Sequence, residues 1–198
     1  SFQKSFNDVY QLNSHDLQLG FLKHLKGAQL DVTGCAFSDF PPYEVVHSDV
    51  LSYGEISFLK GVEDVLEKYH NSGGFSKTLD YLVSKYATEN PFSFYEGLAT
   101  YFKEQGLFGQ NISRKSLYEI LYHYVDSVLT DTCAKDDIIY DYCTFYKDNL
   151  SFMSHDEALK EKAFEFLKDE QMIASYLPEF NKEKPATIYK KVRFAFIG

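Results

Sequence analysis

The chain has 198 residues, which suits one domain or one domain with an appendage. Aromatic residues make up 17%, as 16 Tyr and 18 Phe with no Trp, which excludes the aromatic-poor composition of a disordered chain. A formal net charge of −9 with scattered Lys and Arg argues against nucleic acid and against an anionic membrane surface.

No apolar run reaches the ~20 residues of a membrane-spanning helix. No basic segment precedes an apolar h-region, so no secretory signal is expected. The chain begins at Ser1 rather than Met, which predicts a processed protein or a cut-out piece. Cys35, Cys133 and Cys143 are odd in number and widely spaced. They read as reduced thiols in a cytoplasmic protein, not as a disulfide framework.

After a short polar lead comes "LQLGFLKHLKG", residues 17–27. Leu17, Leu19 and Phe21 alternate as on a strand, and Gly20 suits a close backbone approach. Asp39-Phe40-Pro41-Pro42-Tyr43 reads as a rigid extended connector, because proline fixes φ and biases its predecessor away from helix.

Helical signals dominate from residue 50. Ser52 and Glu55 form a capping box, followed by Ile56, Leu59, Val62, Leu66 and Tyr69 on one helical face. Asn71-Ser72-Gly73-Gly74 stops that helix. A second carries Leu79, Leu82, Val83 and Tyr86. Asn90-Pro91 is the N-cap and first position of a third, which buries Phe94, Tyr95, Leu98 and Phe102 and ends at Gly106. Ser113 opens a fourth, with Leu117, Ile120, Leu121, Tyr124, Val125 and Val128. A fifth is predicted over 135–148. A capping box at Ser154–Glu157 opens a sixth through Phe164 and Leu167, which continues or breaks before Leu177-Pro178. Near the end, Ile188, Lys190, Val192, Phe194 and Phe196 share one face of a predicted strand. The expected fold is mainly α, a six-helix domain with short extended or strand segments at both ends.

The search for chemistry is mostly negative. Gly73-Gly74-Phe75-Ser76-Lys77-Thr78 has the letters of a P-loop in the wrong order and follows a helix, so it reads as a turn. Glu67 and His70 form a single Glu-x-x-His, whereas a di-iron bundle needs two such pairs and two more Glu. The six histidines make no H-x-H or H-E-x-x-H, and no zinc site is expected. Asp131, Asp136, Asp137 and Asp141 lack calcium-loop spacing and read as a solvated face with helix N-terminal charges. Those acids beside Cys133 disfavour a thiolate nucleophile. The many helix tyrosines read mainly as core and rim.

"LQLGFLKHLKGAQLD" resembles the closing strand of a radical S-adenosylmethionine barrel, with Lys26–Leu30 loosely matching its turn. Pro41-Pro42-Tyr43-Glu44-Val45, Tyr69-His70-Asn71-Ser72-Gly73 and Asn90-Pro91-Phe92-Ser93-Phe94 resemble the C-terminal part of one group of such proteins. These are iron–sulfur oxidoreductases with a cobalamin-binding domain, a radical S-adenosylmethionine barrel and a helical C-terminal domain of unknown role.

The resemblance implies that 1–47 is the end of the barrel plus a linker, 48–184 the helical domain and 185–198 a strand-like segment. It implies a 4Fe–4S cluster, S-adenosylmethionine and cobalamin in the parent protein, but none in this piece, which lacks a C-x-x-x-C-x-x-C run and is expected to be inactive alone. No catalytic or metal residue carries over. Leu17, Leu19 and Phe21 become a barrel-facing interface. The expected partner is the rest of the parent chain, with self-association through exposed strand edges at 17–21 or 192–196. The expected role is to shape substrate access or dock a partner. The alternatives are a stand-alone helical ligand- or protein-binding module with a Tyr/Phe-lined pocket, and a metal-dependent enzyme built on Glu67 and His70.

Overall fold

The computed structural model describes residues 2–12, 16–23, 34–153, 157–192 and 194. It is mainly helical, and its contacts divide the chain into two compact units, Ser1–Ile112 and Ser113–Gly198.

In the first unit, Ser52 and Glu55 close the predicted capping box reciprocally and start α2, Tyr53–Leu66. A π-helical turn, Glu67–Asn71, extends it. Gly73, at φ +65°, then turns the chain in a region that glycine adopts without steric cost. Next come α3, Ser76–Tyr86, and α4, Pro91–Glu104. α4 packs on both α2 and α3. The core is built from Val62, Val65, Leu66, Tyr69, Phe75, Leu82, Tyr95, Leu98, Ala99 and Phe102, all fully buried. Burying each large apolar side chain contributes about 1.5–3 kcal/mol before entropy is counted.

Three features of this unit depart from the sequence reading. The polar lead is a helix, α1, Phe2–Gln11, packed on α4. Its Phe2, Phe6 and Tyr10 recur every four residues, which places them on one face. The Pro41-Pro42 stretch is no extended connector. It is the turn of a β-hairpin that pairs β1, Cys35–Phe37, antiparallel with β2, Val45–Ser48. Within that turn the Pro41–Pro42 peptide is cis and Tyr43 has φ +55°. The register, Cys35↔Ser48 and Ala36↔His47, shifts by a bulge before Phe37↔Val45.

The predicted strand at 17–21 is an extended strap without a ladder of its own. Its burial does alternate, with Leu17 and Leu19 inward and Gln18 and Gly20 outward. It touches the hairpin through one antiparallel bridge, Lys23↔Glu44, and the Val45 N–H to the Leu22 carbonyl at 2.8 Å. No atom approaches a Cβ built on Gly20 within 4 Å, so no close contact explains that glycine. Lys26–Leu30 lies outside the described residues.

In the second unit, α5, Arg114–Tyr124, is capped by Ser113 and prolonged by a π turn, Val125–Leu129. It packs on α6, Thr132–Phe145. That helix starts three residues before the predicted position, because the Asp131 carboxylate accepts the Ala134 N–H and fixes the N-cap. Tyr118, Leu121, Val125, Ala134, Ile138 and Tyr142 are fully buried. Then come α7, Glu157–Phe166, α8, Glu170–Tyr176, and α9, Pro185–Lys191. The sixth predicted helix thus breaks at Leu167–Asp169, where Asp169 caps α8. Its proposed cap, Ser154–Asp156, lies outside the described residues.

The predicted C-terminal strand is a helix over Pro185–Lys191. Pro185 presets φ at the first helical position. Ile188 and Val192 are four residues apart, a spacing that serves period 2 and period 3.6 alike. Helix wins because Ile188 then buries completely against Leu167 and Ile173. Phe196 lies outside the described residues.

Candidate functional site

The first unit concentrates its polar groups around the strap and the π turn. Asn71 clasps the strap backbone reciprocally: it accepts the Leu17 N–H at 3.0 Å, and its amide donates to the Leu17 carbonyl at 3.0 Å. The same amide donates to the Glu67 carboxylate at 2.7 Å. At the other end of the strap, Lys23 and Lys60 both pair with Glu44. The Lys60 ammonium also sits 5.5 Å over the Phe21 ring. Leu17 and Leu19 are only 5% and 7% exposed and Phe21 lies under Lys60, so all three take part in this unit's own packing.

The Glu44 carboxyl is held below the usual carboxylate range, first by the Lys60 hydrogen bond and then by that of Lys23. A lowered carboxyl stabilises the fold above its unfolded-state pKa and stops doing so as pH falls through its folded-state pKa. Glu44→Gln should therefore cost at most about 1 kcal/mol at neutral pH, as expected for half-exposed ion pairs. Melting curves of wild type and variant should converge as pH falls through and below the ordinary Glu value of about 4.3. A difference that stays constant with pH would contradict the ion-pair assignment.

Two adjoining recesses share Ser57 and Lys60 on the outward face of α2. One encloses about 550 Å³ beside Gly61, Asp64, Lys68 and Phe108. The other, about 200 Å³, lies beside Pro42, Glu44 and Tyr53. Gly61 is required for close packing here, since a Cβ would come within 2.8 Å of the Phe108 ring. Lys60 pairs with Glu44 and Lys68 with Asp64, which cancels most of the local field.

His70 and Glu67 diverge. In an α-helix, positions three apart share a face, but the π turn spreads them. Glu67 turns to Asn71, while the His70 ring meets Tyr10 at 5.3 Å and Tyr95 at 6.3 Å. The Tyr95 hydroxyl lies 3.4 Å from His70 Nδ1 and 3.4 Å from the Tyr10 hydroxyl, long contacts for hydroxyl bonds. Burial is the main cause that raises the pKa of both phenols, so each stays protonated and acts as a neutral hydrogen-bonding group.

Asn7 completes this seat. It accepts the Phe92 N–H at 3.0 Å and donates to the Asn90 side chain at 2.8 Å. Asn90 itself makes no side-chain cap bond, so α4 is capped from α1. Asn7, Tyr10 and Tyr95 escape the sequence search as a site. Only the four-residue spacing of Phe2, Phe6 and Tyr10 signals them, and a cap supplied across more than eighty residues leaves no local pattern.

In the second unit the acidic set is dispersed. Asp131 caps α6 and Asp141 is buried on it. Among the described residues no group of three or more His, Cys, Asp or Glu is placed to hold a metal ion. Tyr118 and Tyr142 are fully buried with ring centroids 5.2 Å apart. Cys35, Cys133 and Cys143 are in no disulfide, and only Cys133 is exposed. No described helix is long and apolar enough to cross a membrane.

Residues 33–198 match the model of a protein of unknown function, DUF4080. The chain belongs to the DUF4080 family. No curated protein and no solved structure matches it. The DUF4080 match takes in the hairpin and every helix from α2 to α9, whereas α1 and the strap precede it.

Proposed function

We propose that this DUF4080 chain is the C-terminal accessory domain of a larger, cytoplasmic radical S-adenosylmethionine iron–sulfur oxidoreductase with a cobalamin-binding domain. In that role it shapes substrate access or docks a partner, and its own partner is the rest of the parent chain. The observation that carries the reading is the strap. It has a strand's alternating burial and bridges to the hairpin through Lys23↔Glu44, ahead in sequence of the DUF4080 match that begins at residue 33. The resemblance of 17–31 to a barrel's closing strand supports the same reading.

The strap's inner residues, Leu17 and Leu19, are committed to this unit, so contact with the barrel falls on its outer edge, where Leu22 is half exposed. The residues present do not fit a 4Fe–4S cluster. Cys35 lies on β1, and Cys133 and Cys143 lie ten residues apart on α6, just under three helical turns. Cluster, S-adenosylmethionine and cobalamin chemistry are assigned to other parts of the parent.

The test is anaerobic reconstitution with iron and sulfide of this chain and, separately, of the longer protein. The expected result is visible cluster absorption in the longer protein only. A longer protein that stays colourless overturns the proposal.

A second reading rests on the 550 Å³ recess beside Phe108. There the chain is a stand-alone binding module. A small-molecule thermal-shift screen should then raise its melting temperature by mass action, and a flat screen counts against it.

A further inference from the structure

We propose, resting on the binding-module reading, that the larger recess on α2 takes a neutral sugar, a mono- or disaccharide. The recess encloses about 550 Å³, within the ~300–1,000 Å³ of small-ligand sites. One wall is a single helical face, with Ser57, Lys60 and Asp64 on α2 continued by Lys68 on the π turn. The opposite wall is the loop after α4, from Phe108 to Asn111.

This lining is polar yet electrically balanced. Lys60 pairs with Glu44, and Lys68 with Asp64. Glu44 also holds Lys23, and Glu63 interacts with both Lys23 and Lys60. The ammoniums of Lys23, Lys60 and Lys68 are thus matched by the carboxylates of Glu44, Glu63 and Asp64. An anion in the recess is drawn by Lys68 but opposed by Asp64 in the same wall, and a cation meets the reverse. A neutral ligand meets neither penalty.

A hydroxyl joins an ion pair without breaking it, because it accepts from the ammonium and donates to the carboxylate at once. The Asp64 and Lys68 side chains keep 38% and 23% exposure, so both stay reachable beside their mutual bond. The Gln110 amide N–H donates to the Gly106 carbonyl at 2.7 Å, which fixes the amide and leaves its oxygen as an acceptor. Ser57 and Asn111 make no side-chain hydrogen bond to another described residue. Gly109, at φ +76°, turns the loop with no side chain to intrude. The one aromatic ring in the lining is that of Phe108, half-buried against Gly61. A sugar combines several hydroxyls with an apolar C–H face. One ring among many polar groups suits that mixture, whereas an apolar ligand takes a mostly hydrophobic site.

Titration of the isotope-labelled full chain, followed by its amide NMR shifts, tests this. The sugar probes are glucose, N-acetylglucosamine, maltose and cellobiose at millimolar concentration, with inorganic phosphate, glycine and phenol as non-sugar arms. At least one sugar should shift the amides of Ser57, Gly61, Gly109 and Gln110 and reach saturation. Its affinity should change less than about twofold between low and high salt, since a neutral ligand escapes ionic screening. Asn111→Ala, at an exposed position, should weaken that binding about fivefold to tenfold, the scale of one lost hydrogen bond. Ser57→Trp, at an exposed helix position, fills the recess without touching the core and should abolish binding. Phosphate, glycine or phenol shifting these amides while no sugar does overturns the sugar assignment and leaves the binding-module reading standing. Silence from every probe overturns both. Sugar shifts that persist unchanged in Ser57→Trp place the sugar elsewhere and overturn the site.

Discussion

Phe102→Ala should cost the first unit about 3–5 kcal/mol, the range for truncating a buried aromatic. Phe102 is fully buried on α4. Its ring meets Tyr69 edge-on at 6.0 Å and Phe108 at 5.8 Å. Phe108 in turn lies against Gly61, where no side chain can move in to fill the space. The cavity therefore spans the junction of α2, α4 and the loop after α4, and collapse is resisted by the helices on both sides. Since domains have only about 5–15 kcal/mol of stability, this is a large fraction. Urea unfolding should show a lower midpoint with an unchanged slope. A loss below about 1 kcal/mol would mean that the loop closes over the vacancy and that Phe108 is not held as described.

The second large effect separates a ring from its hydroxyl. Tyr142 is fully buried on α6, with its ring 5.2 Å from Tyr118 and 4.9 Å from Tyr146. Its hydroxyl donates to the Asp148 carboxylate at 3.0 Å. Tyr142→Ala empties the aromatic stack and should cost about 3–5 kcal/mol. Tyr142→Phe keeps the stack, and the exposed Asp148 carboxylate still has Lys115 and water. Phe should therefore lose only a small part of what Ala loses, read as two denaturation midpoints measured side by side. Equal losses would place the stability in the hydroxyl and contradict ring packing as the main term.

The parts legible in sequence were those with local chemistry. Ser52 with Glu55, Asn90 with Pro91, and Ser113 each announce a helix start within four residues, and the helices begin there. Leu98 and Phe102 fall on the buried face that their spacing predicts. Where the only cue was a four-residue spacing, period alone could not choose. Phe2, Phe6 and Tyr10 carry no further helix signal, and Ile188 with Val192 fits a strand equally well, because both periods contain a step of four. The hairpin was hidden for another reason. Cys35–Phe37 is too short to alternate, and Pro41-Pro42 reports its φ angles but not which strands flank it. At the candidate site, Glu67 and His70 have the spacing of a shared face, and the π turn removes it. No local signal encodes Asn7 capping α4 across the fold.

The role proposed for this helical DUF4080 domain lies within a radical S-adenosylmethionine protein. It is tested most directly by incubating the longer protein, anaerobically reconstituted, with S-adenosylmethionine and a strong reductant and assaying 5′-deoxyadenosine. The expected result is 5′-deoxyadenosine from the longer protein and none from residues 1–198 alone. A reconstituted longer protein that leaves S-adenosylmethionine intact would contradict it.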